Sequence, residues 1–281
     1  MTVDISNSNP AIGERITVLD VETNYLERGA GEPVVLLHGS GAGVSAWANW
    51  YLAIPALAED FRVVAPDLPG FGYTERKPGL DYNMKFWVAH LLAFLDACGI
   101  ERATLVGNSF GGGLLLAFTL RHPERVARLV LMGTPAGQFP MTKGLKGHKP
   151  FEPTREWTAE MLRKFPYDPA IVTEQMIDER FEAMQRPDER KAFKKLMPKN
   201  ENKEKERIVR GVPEDRLQTI EQPALVVHGR EDRVIPVEVG LRLLHNMPAA
   251  EAHVFGHCGH WVQIERPQAF HALVRDFIHR T

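Results

Sequence analysis

Residues 103–116 read Ala-Thr-Leu-Val-Gly-Asn-Ser-Phe-Gly-Gly-Gly-Leu-Leu-Leu. An apolar run stops at Gly107, and a glycine-rich stretch of helical character follows Ser109. Gly107-Asn108-Ser109-Phe110-Gly111 fits G-x-S-x-G, the strand–turn–helix pattern that exposes a nucleophilic serine. So tight a turn strains the backbone at the serine, and side chains at Gly107 and Gly111 would clash with the neighbouring strand and helix. The first N–H groups and the positive end of the following helix are aimed at chemistry on Ser109. Five residues can also match by chance, and the plain structural alternative is a glycine-rich turn between a buried strand and a packed helix. A base, an acid and oxyanion donors in the right chain order decide between the two.

Around this turn, strands and helices alternate. Residues 16–21 and 22–28 alternate as a strand pair at a sheet edge. Residues 33–37, 62–65, 103–106, 126–132 and 223–227 are short apolar runs, the mark of strands buried on both faces. Helical spacing occupies 48–59, 84–98, 112–121, 237–246 and 267–278, and 252–255 is a further strand. This rhythm predicts an α/β fold with a mostly parallel sheet covered on both faces. It breaks from about 137 to 213, where charged helical segments at 154–164, 173–185 and 187–196 replace buried strands. Residues 199–210 read as a solvated face or loop. The expected organisation is a core in two parts, 1–136 and 214–281, with a helical lid, 137–213, inserted after the sixth strand and placed over the C-terminal strand ends.

Composition narrows the function classes. With 281 residues, 44% of them hydrophobic, and net charge −2, the chain can bury a large core and offers no electrostatic case for nucleic acid or an acidic membrane. The first fifteen residues are polar and suggest no secretory signal, and the longest apolar stretch is too short to span a bilayer. Cys98 and Cys258 make no disulfide framework, so a cytoplasmic location is the expectation.

A serine nucleophile needs a base, and the base needs an orienting acid. Asp232 follows the buried strand in Val227-His228-Gly229-Arg230-Glu231-Asp232, and His260 follows the last strand in Phe255-Gly256-His257-Cys258-Gly259-His260-Trp261. The order Ser109, Asp232, His260 is the nucleophile–acid–histidine order known for serine hydrolases built on such a sheet. Glu231 is an alternative acid, His257 an alternative base, and Asp67 reads as a turn residue. His257, Cys258 and His260 lack a clear carboxylate partner for a metal, and none is expected. The oxyanion donors would be the backbone N–H groups of Phe110 and Ser40, the latter in the loop His38-Gly39-Ser40-Gly41. His38 itself is expected to pack or hydrogen-bond within that loop.

With these residues in hand, the chain resembles the α/β-hydrolase superfamily over nearly its whole length. Within it, the chain is similar to the meta-cleavage-product hydrolases, which cleave carbon–carbon bonds in bacterial aromatic degradation. Four segments carry the resemblance. His38-Gly39-Ser40-Gly41-Ala42-Gly43-Val44-Ser45-Ala46-Trp47-Ala48-Asn49-Trp50 matches the first loop, with Ala42 where the family usually has proline. Gly107-Asn108-Ser109-Phe110-Gly111-Gly112 matches the serine turn, and Cys258-Gly259-His260-Trp261-Val262-Gln263-Ile264-Glu265 the histidine segment. Asp178-Glu179-Arg180-Phe181-Glu182 resembles a lid segment bearing an arginine.

The resemblance implies a vinylogous 1,5-diketo acid substrate of the 2-hydroxy-6-oxo-hexa-2,4-dienoate type, no cofactor, and a homo-oligomer of two or more copies. Arg180 would hold the substrate carboxylate with its planar fork. Asn49 and Asn108 would supply amide donors, Trp261 an apolar wall, and Gly41 close backbone approach. The structural alternatives are a surface ion pair for Arg180, a helix cap for Asn49 and ordinary core for Trp261. A carboxylesterase or lactonase with the same three residues is the competing enzyme, and a non-catalytic ligand-binding homologue the competitor from another class.

Overall fold

The structure, a computed structural model, describes residues 9–146, 154–186, 188 and 208–281. The chain begins with an antiparallel pair, β1 (Glu14–Val18) and β2 (Val21–Arg28), then lays down β3 (Pro33–Leu37), β4 (Arg62–Pro66), β5 (Ala103–Asn108) and β6 (Val126–Met132). Short strands β7 (Gln138–Pro140) and β8 (Ile208–Arg210) belong to the insert, and β9 (Ala224–Gly229) and β10 (Ala250–Phe255) return to the main sheet. Its order is β1-β2-β4-β3-β5-β6-β9-β10, with β2 antiparallel to both neighbours and every later pairing parallel.

The helices of the first half are α1 (Ala46–Trp50), α2 (Ala53–Leu57), α3 (Met84–Ala97) and α4 (Phe110–Thr119). Those of the insert are α5 (Arg155–Leu162) and α6 (Glu174–Gln185). The second half adds α7 (Glu214–Leu217), α8 (Val237–Asn246), α9 (Val262–Glu265) and α10 (Pro267–Arg280). Successive strand residues point to opposite faces, and the burial follows that period. Val34, Leu36, Val63, Val106 and Val130 pack with Trp50, Leu57, Phe270 and Phe277 of α1, α2 and α10. Val35, Leu37, Val64, Leu105 and Leu129 pack with Phe94, Leu115, Phe118 and Leu243 of α3, α4 and α8. Because both faces are covered, each central strand has to be apolar throughout, and each fully buried Leu or Val contributes roughly 1.5–3 kcal/mol.

Several elements differ from expectation. The helix expected over 48–59 is two short ones, α1 and α2, broken at Tyr51 and Leu52. Helix α4 starts at Phe110 rather than Gly112. The glycines of its first turn are required by tight packing: a Cβ on Gly112 would lie 2.0 Å from Thr134 Oγ1. The insert is not wholly helical, since β7 and β8 pair antiparallel, Phe139 opposite Val209. Three-residue strands carry too little periodicity to be read from sequence. The segment expected to be a solvated face or loop, 199–210, ends in β8, while 199–207 and most of the helix expected over 187–196 lie outside the described residues.

Helices α5 and α6 each begin at a threonine whose hydroxyl accepts from an amide of the first turn, Thr154 from Trp157 and Thr173 from Met176. They share a small apolar cluster with Trp261: Ala159, Leu162, Val172 and Ile177 are buried in it. Through Trp261, and through Phe165 and Tyr167 against Gly259, this part of the chain packs on the loop that follows β10. Among the described residues, no helix is long and apolar enough to cross a membrane.

Candidate active site

Strand β5 delivers Ser109 into a turn with φ +53° and ψ −115°, a left-handed conformation that costs a non-glycine residue on the order of 1–3 kcal/mol. Two backbone bonds hold it there: Ser109 N–H donates to Met132 O at 2.8 Å, and Ser109 O accepts from Gly113 N–H at 3.0 Å. The flanking glycines are required sterically. A Cβ on Gly107 would sit 2.6 Å from Gly112 N, and one on Gly111 would sit 2.4 Å from Leu37 O. No side chain among the described residues caps α4, so its first N–H groups stay available beside the serine hydroxyl.

Past the ends of β9 and β10 lie Asp232 and His260, both buried, with His260 Nδ1 2.7 Å from Asp232 Oδ2. The other carboxylate oxygen accepts from the amides of Val234 at 2.7 Å and Ile235 at 3.0 Å. Burial alone would raise the Asp232 pKa. The charge and hydrogen bond of His260, the nearby His228 and the Ile235 amide outweigh it and hold the carboxyl below the ordinary value. Gly133, at φ +51°, follows the Met132 carbonyl that holds Ser109, and a Cβ there would lie 2.9 Å from His260 Nδ1 and 3.3 Å from Asp232 Oδ2. The same two-residue turn thus abuts the serine on one side and the His–Asp pair on the other.

The alternatives fall elsewhere. The Glu231 carboxylate pairs with Arg230 and accepts from the Cys258 amide. His257 is exposed against Tyr167. Cys258 is fully buried, with its thiol pushed up to about 12 by burial, and behaves as a packed neutral side chain.

The first loop crosses directly over the serine: a Cβ on Gly39 would lie 3.4 Å from Ser109 Cβ and 3.1 Å from Asn108 Oδ1. His38 is buried within it. Its Nε2 accepts from Leu68 N–H at 2.9 Å, so Nδ1 carries the proton and donates to Gly39 O at 2.7 Å. Burial lowers its pKa to about 4, aided by the charge of Arg180 and opposed by the Gly39 bond, so the ring is neutral. That bond orients the Gly39–Ser40 peptide, whose N–H is the expected oxyanion donor. Ser40 is exposed, and Phe110 is half-buried against Trp87 at 4.7 Å between ring centroids. Gly41 takes φ +152° and faces open space.

Asn49 is buried inside α1, whose N-cap is Ser45, so capping is not its role. Its Oδ1 accepts from Gly39 N–H at 3.2 Å, and among the described residues its Nδ2 has no partner. Asn108 is buried, with Nδ2 3.4 Å from Met132 O. Arg180 on α6 donates to Ala42 O at 3.2 Å, and Gly43 fits closely beneath its aliphatic stem. The indole of Trp261 stacks on Phe165 at 4.8 Å and 10°. Arg180 and Trp261 also line a cleft of about 720 Å³ with Gly43, Trp47, Leu162 and Met176; Ser109 and His260 are not on its wall.

Asp67, expected to be a turn residue, is instead a buried hub. It accepts from Ala46 N–H at 2.6 Å, Tyr73 N–H at 2.7 Å and Asn24 Nδ2 at 2.8 Å, tying the first loop to β2 and the following turn. Burial raises its pKa to about 6 against those three donors and the charge of Arg186. His228 also escaped the sequence reading. It donates from Nε2 to Ile235 O at 2.9 Å and stands 3.5 Å from Asp232 Oδ2. Its place in the buried run Val226-Val227-His228-Gly229 was the available signal.

A strained serine with free helix amides beside it, a buried His–Asp pair and a loop of backbone donors can together activate an oxygen nucleophile toward a carbonyl carbon and hold the resulting oxyanion. The sequence profile of the alpha/beta hydrolase fold matches residues 32–267. A 2-hydroxy-6-oxo-2,4-heptadienoate hydrolase of Pseudomonas putida is 43% identical over 98% of this chain and 99% of its own. A 2-hydroxymuconate semialdehyde hydrolase of a Pseudomonas species is also 43% identical, over 96% of this chain and 95% of its own. The crystal structure of a meta-cleavage product hydrolase from Pseudomonas fluorescens superposes with a TM-score of 0.91 at 41% identity, covering 97% of this chain and 99% of that one. The chain therefore belongs to the α/β-hydrolase family and, within it, to the meta-cleavage-product hydrolases.

Proposed function

We infer that the protein hydrolyses the carbon–carbon bond of 2-hydroxy-6-oxo-hexa-2,4-dienoate-type ring-fission products, releasing 2-hydroxypenta-2,4-dienoate and a carboxylic acid. In this reading Ser109 is the nucleophile or orients the attacking water, His260 is the base and Asp232 its orienting acid. The buried His260–Asp232 pair at 2.7 Å is the observation that carries the hydrolase assignment. The dienoate preference is supported by the position of Arg180 against the first loop and by the unpartnered Nδ2 of buried Asn49, a cation and a donor suited to a carboxylate and its adjacent oxygen. Relatives at 43% identity are named for substrates bearing hydrogen or methyl at C6, which favours a small group there. We take residues 137–213 as the lid over this pocket, and the reading includes a cytoplasmic, homo-oligomeric enzyme that needs no cofactor.

The steps follow from the chemistry. The substrate shifts from enol to keto form, the 2-hydroxyl proton in net terms moving to C5, which places an electron sink, the 2-oxo group and its C3–C4 alkene, beside the C5–C6 bond. The oxygen nucleophile adds to C6 as His260 takes its proton, and the N–H groups of Phe110 and Ser40 hold the C6 oxyanion. The C5–C6 bond then breaks. Its electron pair flows through the alkene onto the 2-oxygen, which takes up one proton, in net terms the one His260 removed, to give 2-hydroxypenta-2,4-dienoate. Where an acyl-enzyme forms, water activated by His260 releases the acid.

Turnover in ¹⁸O-labelled water, followed by mass spectrometry, tests this. The carboxylic acid should gain the label and the pentadienoate should not, and Ser109→Ala should give neither product. Hydrolysis of simple esters with no cleavage of the dienoate would assign a carboxylesterase instead.

A further inference from the structure

We propose that Glu265 is a positioning residue for His260, locking the histidine loop to the insert so that the base keeps its place only while the two stay joined. The proposal rests on the reading of His260 as the base. Glu265 ends α9, the helix following the histidine, and its carboxylate turns back over the loop. One oxygen accepts from Trp261 N–H at 3.1 Å; the other accepts from Gly259 N–H at 2.9 Å and from Tyr167 N–H at 2.8 Å. The first two amides flank His260 on either side, and the third belongs to the insert. The amide of His260 itself donates to Phe165 O, again in the insert, at 2.8 Å. Three successive amides of the loop are thus tied down, the outer two by Glu265 and the middle one by the insert.

Packing makes the joint close. A Cβ on Gly259 would lie 2.5 Å from Phe165 O and 2.6 Å from Tyr167 N, so the two backbones touch there. The Phe165 ring lies flat on Trp261 and 5.8 Å from the His260 ring. A carboxylate is acceptor-only, and only such a group can take three converging N–H donors without presenting a donor of its own. Charge-assisted bonds of this kind are also the stronger ones. Loss of the carboxylate would free Gly259 and Trp261 together, and the ring between them would lose its alignment with Asp232.

Glu265→Gln in the full chain tests this, because glutamine keeps the size and one acceptor oxygen but turns an –NH₂ toward an amide donor. We expect kcat to fall by roughly tenfold to a hundredfold on the dienoate and on p-nitrophenyl acetate alike, since both need the base, with KM within about threefold. The acid limb of the kcat/KM–pH profile should move, because Asp232, whose carboxyl is held below its ordinary value by His260, loses that aligned partner. The downfield Nδ1 proton resonance of His260 should broaden or shift. Asp232 and His228 are the titratable groups facing that ring, and Cys258 and Arg266 adjoin Glu265, so the same profile in His228→Phe controls for a neighbour's titration. A folded Glu265→Gln enzyme with wild-type kcat, pH limb and resonance would overturn the proposal. So would an activity loss that merely tracks the unfolded fraction measured by circular dichroism. If Glu265→Gln does not fold, Glu265→Asp, which keeps the charge on a shorter reach, is held to the same readouts. His260→Ala separates the two ways of failing. If it is inactive while Glu265→Gln is normal, only the coupling falls; if it is fully active, the reading of His260 falls.

Discussion

Replacing Asp232 by asparagine separates two tasks of one carboxylate. One oxygen accepts from the Val234 and Ile235 amides, the other from His260 Nδ1 at 2.7 Å. Asparagine keeps a carbonyl for the two amides but removes the charge beneath the histidine and turns an –NH₂ toward Nδ1. The imidazole then has to carry its proton on Nε2 and cannot accept another there. Two unit charges about 4 Å apart at an effective dielectric near 20 interact by about 4 kcal/mol, or roughly three decades in rate. The corresponding change in other serine triads costs about 10⁴ in kcat. A loss of roughly 10³ to 10⁴ in kcat is therefore expected on dienoate and ester substrates alike, with KM within about threefold. The fold should survive at a cost of about 1–3 kcal/mol in urea unfolding, because two of the three bonds remain. The sign with pH follows from the lowered Asp232 pKa: its stabilisation is present above the unfolded carboxylate value and is lost as pH falls through the folded one. The wild type should accordingly lose more stability on acidification than the variant. A folded variant with more than about a tenth of wild-type kcat would refute the role given to Asp232.

Other perturbations test other parts of the account. Ser109→Gly should abolish turnover yet raise stability by about 1 kcal/mol, since glycine relieves the strain at φ +53°; a lower Tm would contradict the strain argument. Arg180→Gln should cut kcat/KM on the dienoate by about 10²-fold while changing ester hydrolysis far less, and equal losses would remove its role in holding the substrate carboxylate. His38 and His90 are buried with pKa values of about 4, so each favours folding above the unfolded value near 6.5 and loses that contribution as pH falls toward 4. Urea midpoints should drop across that window, and His90→Gln should shallow the drop. Asp67→Asn should cost about 2–4 kcal/mol at neutral pH, because an amide cannot accept from Ala46, Tyr73 and Asn24 together.

The sheet was legible because its central strands are buried on both faces, and that demand leaves uninterrupted runs such as Val34-Val35-Leu36-Leu37. The serine turn was legible because its glycines answer a local steric need. Asp232 and His260 could be paired from sequence only through topology, each following a strand whose C-terminal end meets the same edge. What stayed hidden depends on contacts between distant segments. Asp67 gathers donors from residues 24, 46 and 73, and Glu265 reaches back to 259 and 261 and across to 167. Neither contact set leaves a periodicity or a spacing. The β7–β8 pair is not legible because three residues are too few to alternate, and the first turn of α4 carries no apolar spacing because its glycines answer to packing, Gly112 against Thr134.

The most direct test is to follow the visible absorbance of 2-hydroxy-6-oxohepta-2,4-dienoate on adding the purified protein, with p-nitrophenyl acetate run alongside. The account predicts rapid bleaching, a kcat/KM on the dienoate at least about a hundredfold above that on the ester, and loss of both in Ser109→Ala. Ester hydrolysis with the dienoate colour unchanged, or bleaching undiminished in Ser109→Ala, would contradict it.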